Sequence, residues 1–155
     1  MDKQEPIRVL FLDIDGVLNG LYTKERINGW CFVEDILVGR LQRIVNETGA
    51  QIVISSDWRY ERNRLEFETF LKKLNEFGMK IFGTTPVLNL KTIDSRQKEI
   101  ERWFETCKVP IESFCILDDF YEFPQYKDRF IMTSYITGIT DKDADRCIEI
   151  LRRPI

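Results

Sequence analysis

The residues able to do chemistry sit just past short hydrophobic runs. Asp13-Ile14-Asp15-Gly16-Val17-Leu18-Asn19 follows Ile7–Leu12, Ser55-Ser56-Asp57-Trp58-Arg59 follows a second run, and Asp118-Asp119 follows a third, with Arg96 and Lys98 ahead of it. Two aspartates two residues apart can face one pocket if the chain bends out of strand geometry, and Gly16 permits that bend. With Asp118 and Asp119 they make a dense negative cluster, in which each carboxylate raises the pKa of its neighbours. A hard divalent cation removes the conflict, and all-oxygen ligands with spare water positions suit Mg²⁺. Such a centre attracts phosphate. An aspartate can then accept a phosphoryl group as an acyl-phosphate. The second aspartate can trade protons with leaving group and water, while hydroxyls and cations hold the phosphoryl oxygens.

Composition narrows the alternatives. The 155 residues contain no histidine, which excludes Ser-His-Asp and Cys-His catalysis and His-ligated zinc. Cys31, Cys107, Cys115 and Cys147 form no CxxC pair, so neither a redox pair nor a zinc ribbon is expected. The polar start has no apolar leader segment and no stretch is long enough to span a membrane, so free thiols in a reducing cytoplasm are expected. Lys plus Arg number 23 against 26 Asp plus Glu; a net charge of −3 provides no global attraction to nucleic acid or anionic lipid.

The pattern around these residues alternates strand and helix. Strands are expected at Ile7–Leu12, Gln51–Ser55, Met79–Phe82, Ser113–Leu117 and Arg129–Met132. Helices are expected from Val33 to Thr48, from Arg62 to Phe77 with Leu65, Phe70, Leu71, Leu74 and Phe77 on one side, from an Asp94 or Ser95 cap to Thr106, and from an Asp141 cap onward. Asn28-Gly29 could close a small hairpin. This α/β order implies a mostly parallel sheet covered on both faces, with ligands beyond the carboxyl ends of its strands.

The hydrophobic strand plus Asp-x-Asp-Gly-Val-Leu-Asn, with Ile-Ser-Ser-Asp-Trp-Arg, Arg-Gln-Lys-Glu-Ile-Glu-Arg-Trp and Ile-Leu-Asp-Asp, resembles the four motifs of the haloacid dehalogenase (HAD) phosphatases. Within that superfamily the same motif set looks like the small HAD subgroup associated with Swiss Army Knife RNA repair proteins. The resemblance implies a Rossmannoid three-layer sandwich, a five-stranded sheet in the order 5-4-1-2-3, and Mg²⁺ as cofactor. It makes Asp13 the nucleophile and a metal ligand, and Asp15 the acid/base, with its backbone carbonyl also on the metal. It gives phosphoryl binding to Ser56, or to Ser55 if the strand ends one residue early. Arg96 takes the cation role, with Lys98 as the alternative. Asp119 is the preferred acidic-motif ligand, with Asp118 binding directly or through water. Asn19 and Arg59 are candidate substrate contacts.

Bland readings stand beside these. An isolated Asp-x-Asp-Gly could be a solvated turn, strand-end serines commonly form turns, and Arg96 could be a surface helix cation. Trp58 could simply pack beside the site, and Arg59 could pair with an acid. The rings of Phe114, Phe120, Tyr121, Phe123 and Tyr126 fit packing better than base stacking.

Residues 1–155 are expected to form one capless domain. Segment 19–33 has room only for a short flap, and Asp57–Ile93 is consumed by core elements. An open site suits a phosphate on something large, such as a polynucleotide end; a nucleotidase or other small-metabolite phosphatase is the alternative. A weakly active phosphate- or partner-binding module is the remaining reading. Trp58–Lys73 carries a local excess of two positive charges, and Lys24 and Arg26 add to it in the flap.

Overall fold

The computed structural model describes residues 3–155. Its elements run β1 (Ile7–Leu12), a hairpin of β2 (Arg26–Ile27) and β3 (Trp30–Cys31), α1 (Asp35–Thr48), β4 (Gln51–Ile54), α2 (Arg64–Glu76), β5 (Ile81–Thr84), α3 (Ser95–Thr106), β6 (Ile111–Asp118), β7 (Phe130–Met132) and α4 (Asp141–Leu151). The main sheet has the order β5-β4-β1-β6-β7 and every pairing in it is parallel. Numbering its five strands alone in chain order, this is the expected 5-4-1-2-3 read from the opposite edge.

Strand periodicity explains why β1 is apolar at every position but Arg8, which pairs with Glu112 at the strand's start. Successive side chains point to opposite faces, and both faces are covered. Leu10 and Leu12 join the core formed with α1, α2 and α4, while Val9 and Phe11 join the one formed with α3, where Phe11 packs edge-on to Trp103 and Phe104. The central strand thus anchors two cores, and its carboxyl end is held rigidly between Ile54 of β4 and Leu117 of β6.

Several expected boundaries move. Two short 3-10 turns, Asp57–Arg59 and Glu61–Asn63, precede α2, which begins at Arg64. Leu65 is 60% exposed rather than inward, because Phe67, Phe70, Leu71 and Leu74 define a stripe from which Leu65 is rotated by almost half a turn. Asp94 takes the N-cap position of α3 as expected but makes no side-chain cap hydrogen bond, pairing instead with Lys98 at 3.6 Å. At α4 the cap is Thr140, whose hydroxyl accepts the Asp143 N–H while Asp143 accepts the Thr140 N–H; Asp141 is already helical. The strand expected at Met79–Phe82 lies at Ile81–Thr84, since Met79 turns inward after Gly78. The four cysteines are free. Among the described residues, no helix is long and apolar enough to cross a membrane.

Candidate active site

The loop after β1 is built to bend. The Asp13 N–H still donates to the Leu117 carbonyl at 3.0 Å, so the residue is fixed as an extension of the sheet. Asp13 Oδ1 accepts the Ile14 N–H at 2.9 Å, which orients the carboxylate. Gly16 then adopts φ 76°, and a Cβ there would run into the Asp119 carboxylate; both backbone and space demand glycine. The Thr133 hydroxyl, just past β7, donates to the Gly16 carbonyl at 2.6 Å. Asn19 closes the turn: its Oδ1 accepts the Gly16 N–H and its Nδ2 donates to Asp15 Oδ1, both at 2.9 Å.

The bend separates the two aspartates. Asp13 is buried, whereas Asp15 is exposed and receives a second hydrogen bond, 3.0 Å, from the Trp58 indole N–H to Oδ2. Each Asp15 oxygen keeps a further lone pair for proton exchange.

Asp13, Asp118 and Asp119 can each place a carboxylate oxygen within 4.8 Å of the other two. Asp118 is fully buried; its Oδ1 accepts the Phe120 and Tyr121 N–H groups at 2.8 and 3.0 Å, but its Oδ2 has no partner. Burial, then the charges of Asp118 and Asp119, push Asp13 well above the usual carboxylate range. Burial also raises Asp118 to about 6, against the pull of its two N–H donors, and raises Asp119. A buried carboxylate oxygen without a donor, in a trio of mutually repelling acids, fits a hard oxygen-loving cation such as Mg²⁺.

The two serines divide their tasks. Ser56 Oγ accepts the Trp58 N–H at 3.2 Å and caps the first 3-10 turn. Ser55 Oγ is buried with no partner, a hydroxyl left available at the end of β4.

Arg96 is buried at the start of α3. It donates from Nη1 to Glu99 Oε1 at 2.9 Å and from Nη2 to Asp57, lies 4.7 Å over the Tyr121 ring, and leaves a buried Nε without a partner. Burial opposes its charge, but Asp57, Tyr60 and Glu99 outweigh that and raise its pKa; its field in turn favours ionised Asp13 and Asp118. Lys98 is exposed on α3 and held by Asp94, so it does not take the role left open for it.

Arg59 is corrected more sharply. Its side chain is 2% exposed and donates to the carbonyls of Ser55, Ser56, Thr85 and Pro86 and to Glu99 Oε2, at 2.8–3.1 Å. Rather than meeting substrate, it clamps the ends of β4 and β5 together. Asn19 likewise lines the cavity but commits its amide to the Gly16 turn and Asp15.

Asp57 and Glu99 lie within the sequence motifs but carry no role in them of their own. Glu99 sits three residues after Arg96, the spacing at which helical side chains meet, and that was the available signal. No comparable sequence pattern marks Asp57 or Thr133.

Beyond the triad lies an open cavity of about 780 Å³, lined by Asp15, Gly16, Asp119, Asp57, Trp58 and the hairpin, among others. Phe32 of the flap segment stacks on Trp58 at 6.0 Å, 25° from parallel, so the flap rests on the residue that holds Asp15.

A parallel Rossmannoid sheet with carboxylates at the ends of its central strand β1 and of the neighbouring β6 is the arrangement of a HAD-type hydrolase. A family model described as the HAD domain in Swiss Army Knife RNA repair proteins matches residues 9–144, and the chain belongs to that family. No curated protein and no solved structure matched the chain. Membership places it, in general terms, among HAD-type phosphatases and hydrolases.

Proposed function

We propose that this chain is a Mg²⁺-dependent phosphomonoesterase that works through an aspartyl-phosphate on Asp13 and acts on an accessible macromolecular phosphate, a polynucleotide end. The observation that carries the reading is the trio Asp13, Asp118 and Asp119, with a buried Asp118 oxygen lacking any donor and with Asp119 lining an open cavity beside Asp15. These three side chains would hold the cation. Bound there, Mg²⁺ supplies positive charge that offsets the acids and the incoming phosphate.

The chain's own residues account for the remaining chemistry. Asp13, oriented by the Ile14 N–H, attacks phosphorus; the new Asp13 O–P bond forms as the ester P–O bond breaks. Asp15 gives a proton to the leaving oxygen. It then takes one from water, whose oxygen attacks phosphorus and releases phosphate, regenerating the Asp13 carboxylate. Asn19 and Trp58 hold Asp15 in place through both steps. The unpartnered Ser55 hydroxyl and Arg96 Nε are donors available to phosphoryl oxygens.

The substrate class is supported by the openness of the cavity and by the RNA-repair setting in the family's description. Between Asp57 and Ile93 the chain forms two 3-10 turns, α2, β5 and a loop, and the cavity is bordered both by the start of this segment, from Asp57 to Glu66, and by the flap. Hydrolysis of p-nitrophenyl phosphate is expected to require Mg²⁺, to stop with EDTA, and to fall on the order of 10³-fold or more in Asp13→Asn. Oligonucleotides with 3′- or 5′-phosphates are expected to outperform free nucleotides; equal rates would move the assignment to a nucleotidase.

A further inference from the structure

The cavity beside the acidic trio carries two rings that the hydrolytic steps do not use. Trp30, on the hairpin, is 71% exposed, and Tyr135, after β7, is 62% exposed; both line the cavity together with Asp15 and Asp119. Scattered exposed aromatics are ordinary, but two that share one cavity with reactive carboxylates make a more specific feature.

Both rings stand on braced backbone. Asn28 and Gly29 take φ of 50° and 82°, turning the hairpin tightly, and Asn28 Nδ2 donates to Glu66 Oε1 of α2 at 3.3 Å. The Tyr135 loop is closed by the Ser134–Gly138 bridge, and the Leu21 N–H donates to the Ile136 carbonyl at 3.1 Å, joining that loop to the flap segment.

Charge decides what the rings can receive. The cavity wall carries Asp15, Asp57, Glu66 and Asp119 against Arg62, whose guanidinium lies 4.8 Å over the Tyr60 ring. A second phosphate or another anion is repelled from this wall. A flat, neutral ring bearing N–H groups suits it, because the rings offer faces and the carboxylates accept hydrogen bonds.

Building on the phosphatase reading, we infer that Trp30 and Tyr135 form a stacking site for the nucleobase of the terminal nucleotide, the one that bears the scissile phosphate. The volume of about 780 Å³ is ample for one nucleoside. Stacking on an aromatic side chain tolerates any base, so the site selects for a base without selecting its identity.

The test is equilibrium binding, which needs no turnover. Asp13→Asn with Mg²⁺ is titrated with 3′- and 5′-phosphorylated trinucleotides, with the same oligomers carrying an abasic residue at the phosphorylated end, and with a phosphotyrosine peptide. Tryptophan fluorescence and calorimetry report binding. The base-bearing oligomer of one polarity is expected to bind about ten-fold more tightly than its abasic counterpart and to quench fluorescence. Trp30→Ala in the same background removes that difference, Trp30→Phe retains most of it, and Tyr135→Ala reduces it. Equal affinity for base-bearing and abasic ends, no binding by any oligomer, or tighter binding of the phosphopeptide overturns the inference. Mg²⁺-dependent hydrolysis of acetyl phosphate by the wild-type protein reports the phosphatase reading separately, since that substrate has no ring to stack.

Discussion

Gly16 is constrained both by its positive φ and by the Asp119 carboxylate that occupies the space a Cβ would take. Gly16→Ala therefore combines a strained backbone with displacement of a proposed metal ligand. It is expected to cost at least about 1 kcal/mol of stability and to weaken Mg²⁺ binding. Chemical denaturation and the Mg²⁺ dependence of Tm check the two effects. Glu99 is the second residue whose environment decides its effect. It is buried between Arg59 and Arg96, at 2.9 Å from each. Glu99→Gln leaves two buried guanidinium groups short of a counter-charge and is expected to cost about 3 kcal/mol. Burial lowers the Arg59 pKa while its partners raise that of Arg96, yet both arginines stay charged at neutral pH. A Glu99→Gln protein as stable as wild type would contradict the bracing role.

At the scale of elements, the flap and the first 3-10 turn meet at Trp58. Its ring packs between Phe32 and Phe70, and its indole N–H reaches Asp15. Trp58→Phe keeps an aromatic body but removes the donor. It is expected to lower kcat about ten-fold, the scale of one lost hydrogen bond at the acid/base, with the apparent affinity for Mg²⁺ unchanged. Steady-state kinetics and a metal titration separate these effects. A fall in metal affinity as large as the fall in kcat would show that Trp58 acts on the acidic trio instead.

For the whole molecule, the acidic trio links stability to pH. Asp118 is raised to about 6 in the fold, chiefly by burial, above its ordinary value of 3.8. A raised carboxylate pKa means that the fold binds the proton more tightly than the unfolded chain does. The metal-free protein is therefore most stable below about pH 4 as far as this group is concerned, and loses that contribution as pH rises through about 6. The loss is on the order of 3 kcal/mol. Mg²⁺ binds the ionised acids, so it is expected to raise Tm more at pH 7 than at pH 5. Thermal melts with Mg²⁺ and with EDTA at the two values measure this directly. An equal increment at both would show that the trio is not the metal site.

The sequence by itself determined the βα alternation, a mostly parallel sheet and the places where chemistry could gather. Those are local properties: a run such as Ile7–Leu12, apolar at every position but Arg8, demands cover on both faces, and the polar residues that follow it must emerge at the sheet edge. It also marked Gly16 as the bend, since few other residues permit one there. Only the tertiary structure decided which neighbours share a task. It put Asp15 on Trp58 and apart from the trio, occupied Ser56 and left Ser55 free, and turned Arg59 inward onto four carbonyls. It also set Trp30 and Tyr135, more than a hundred residues apart, around one cavity. The physical reason is burial. A charge or hydroxyl taken from water must find a partner, and the partner is supplied by whichever strand end or loop the fold brings alongside.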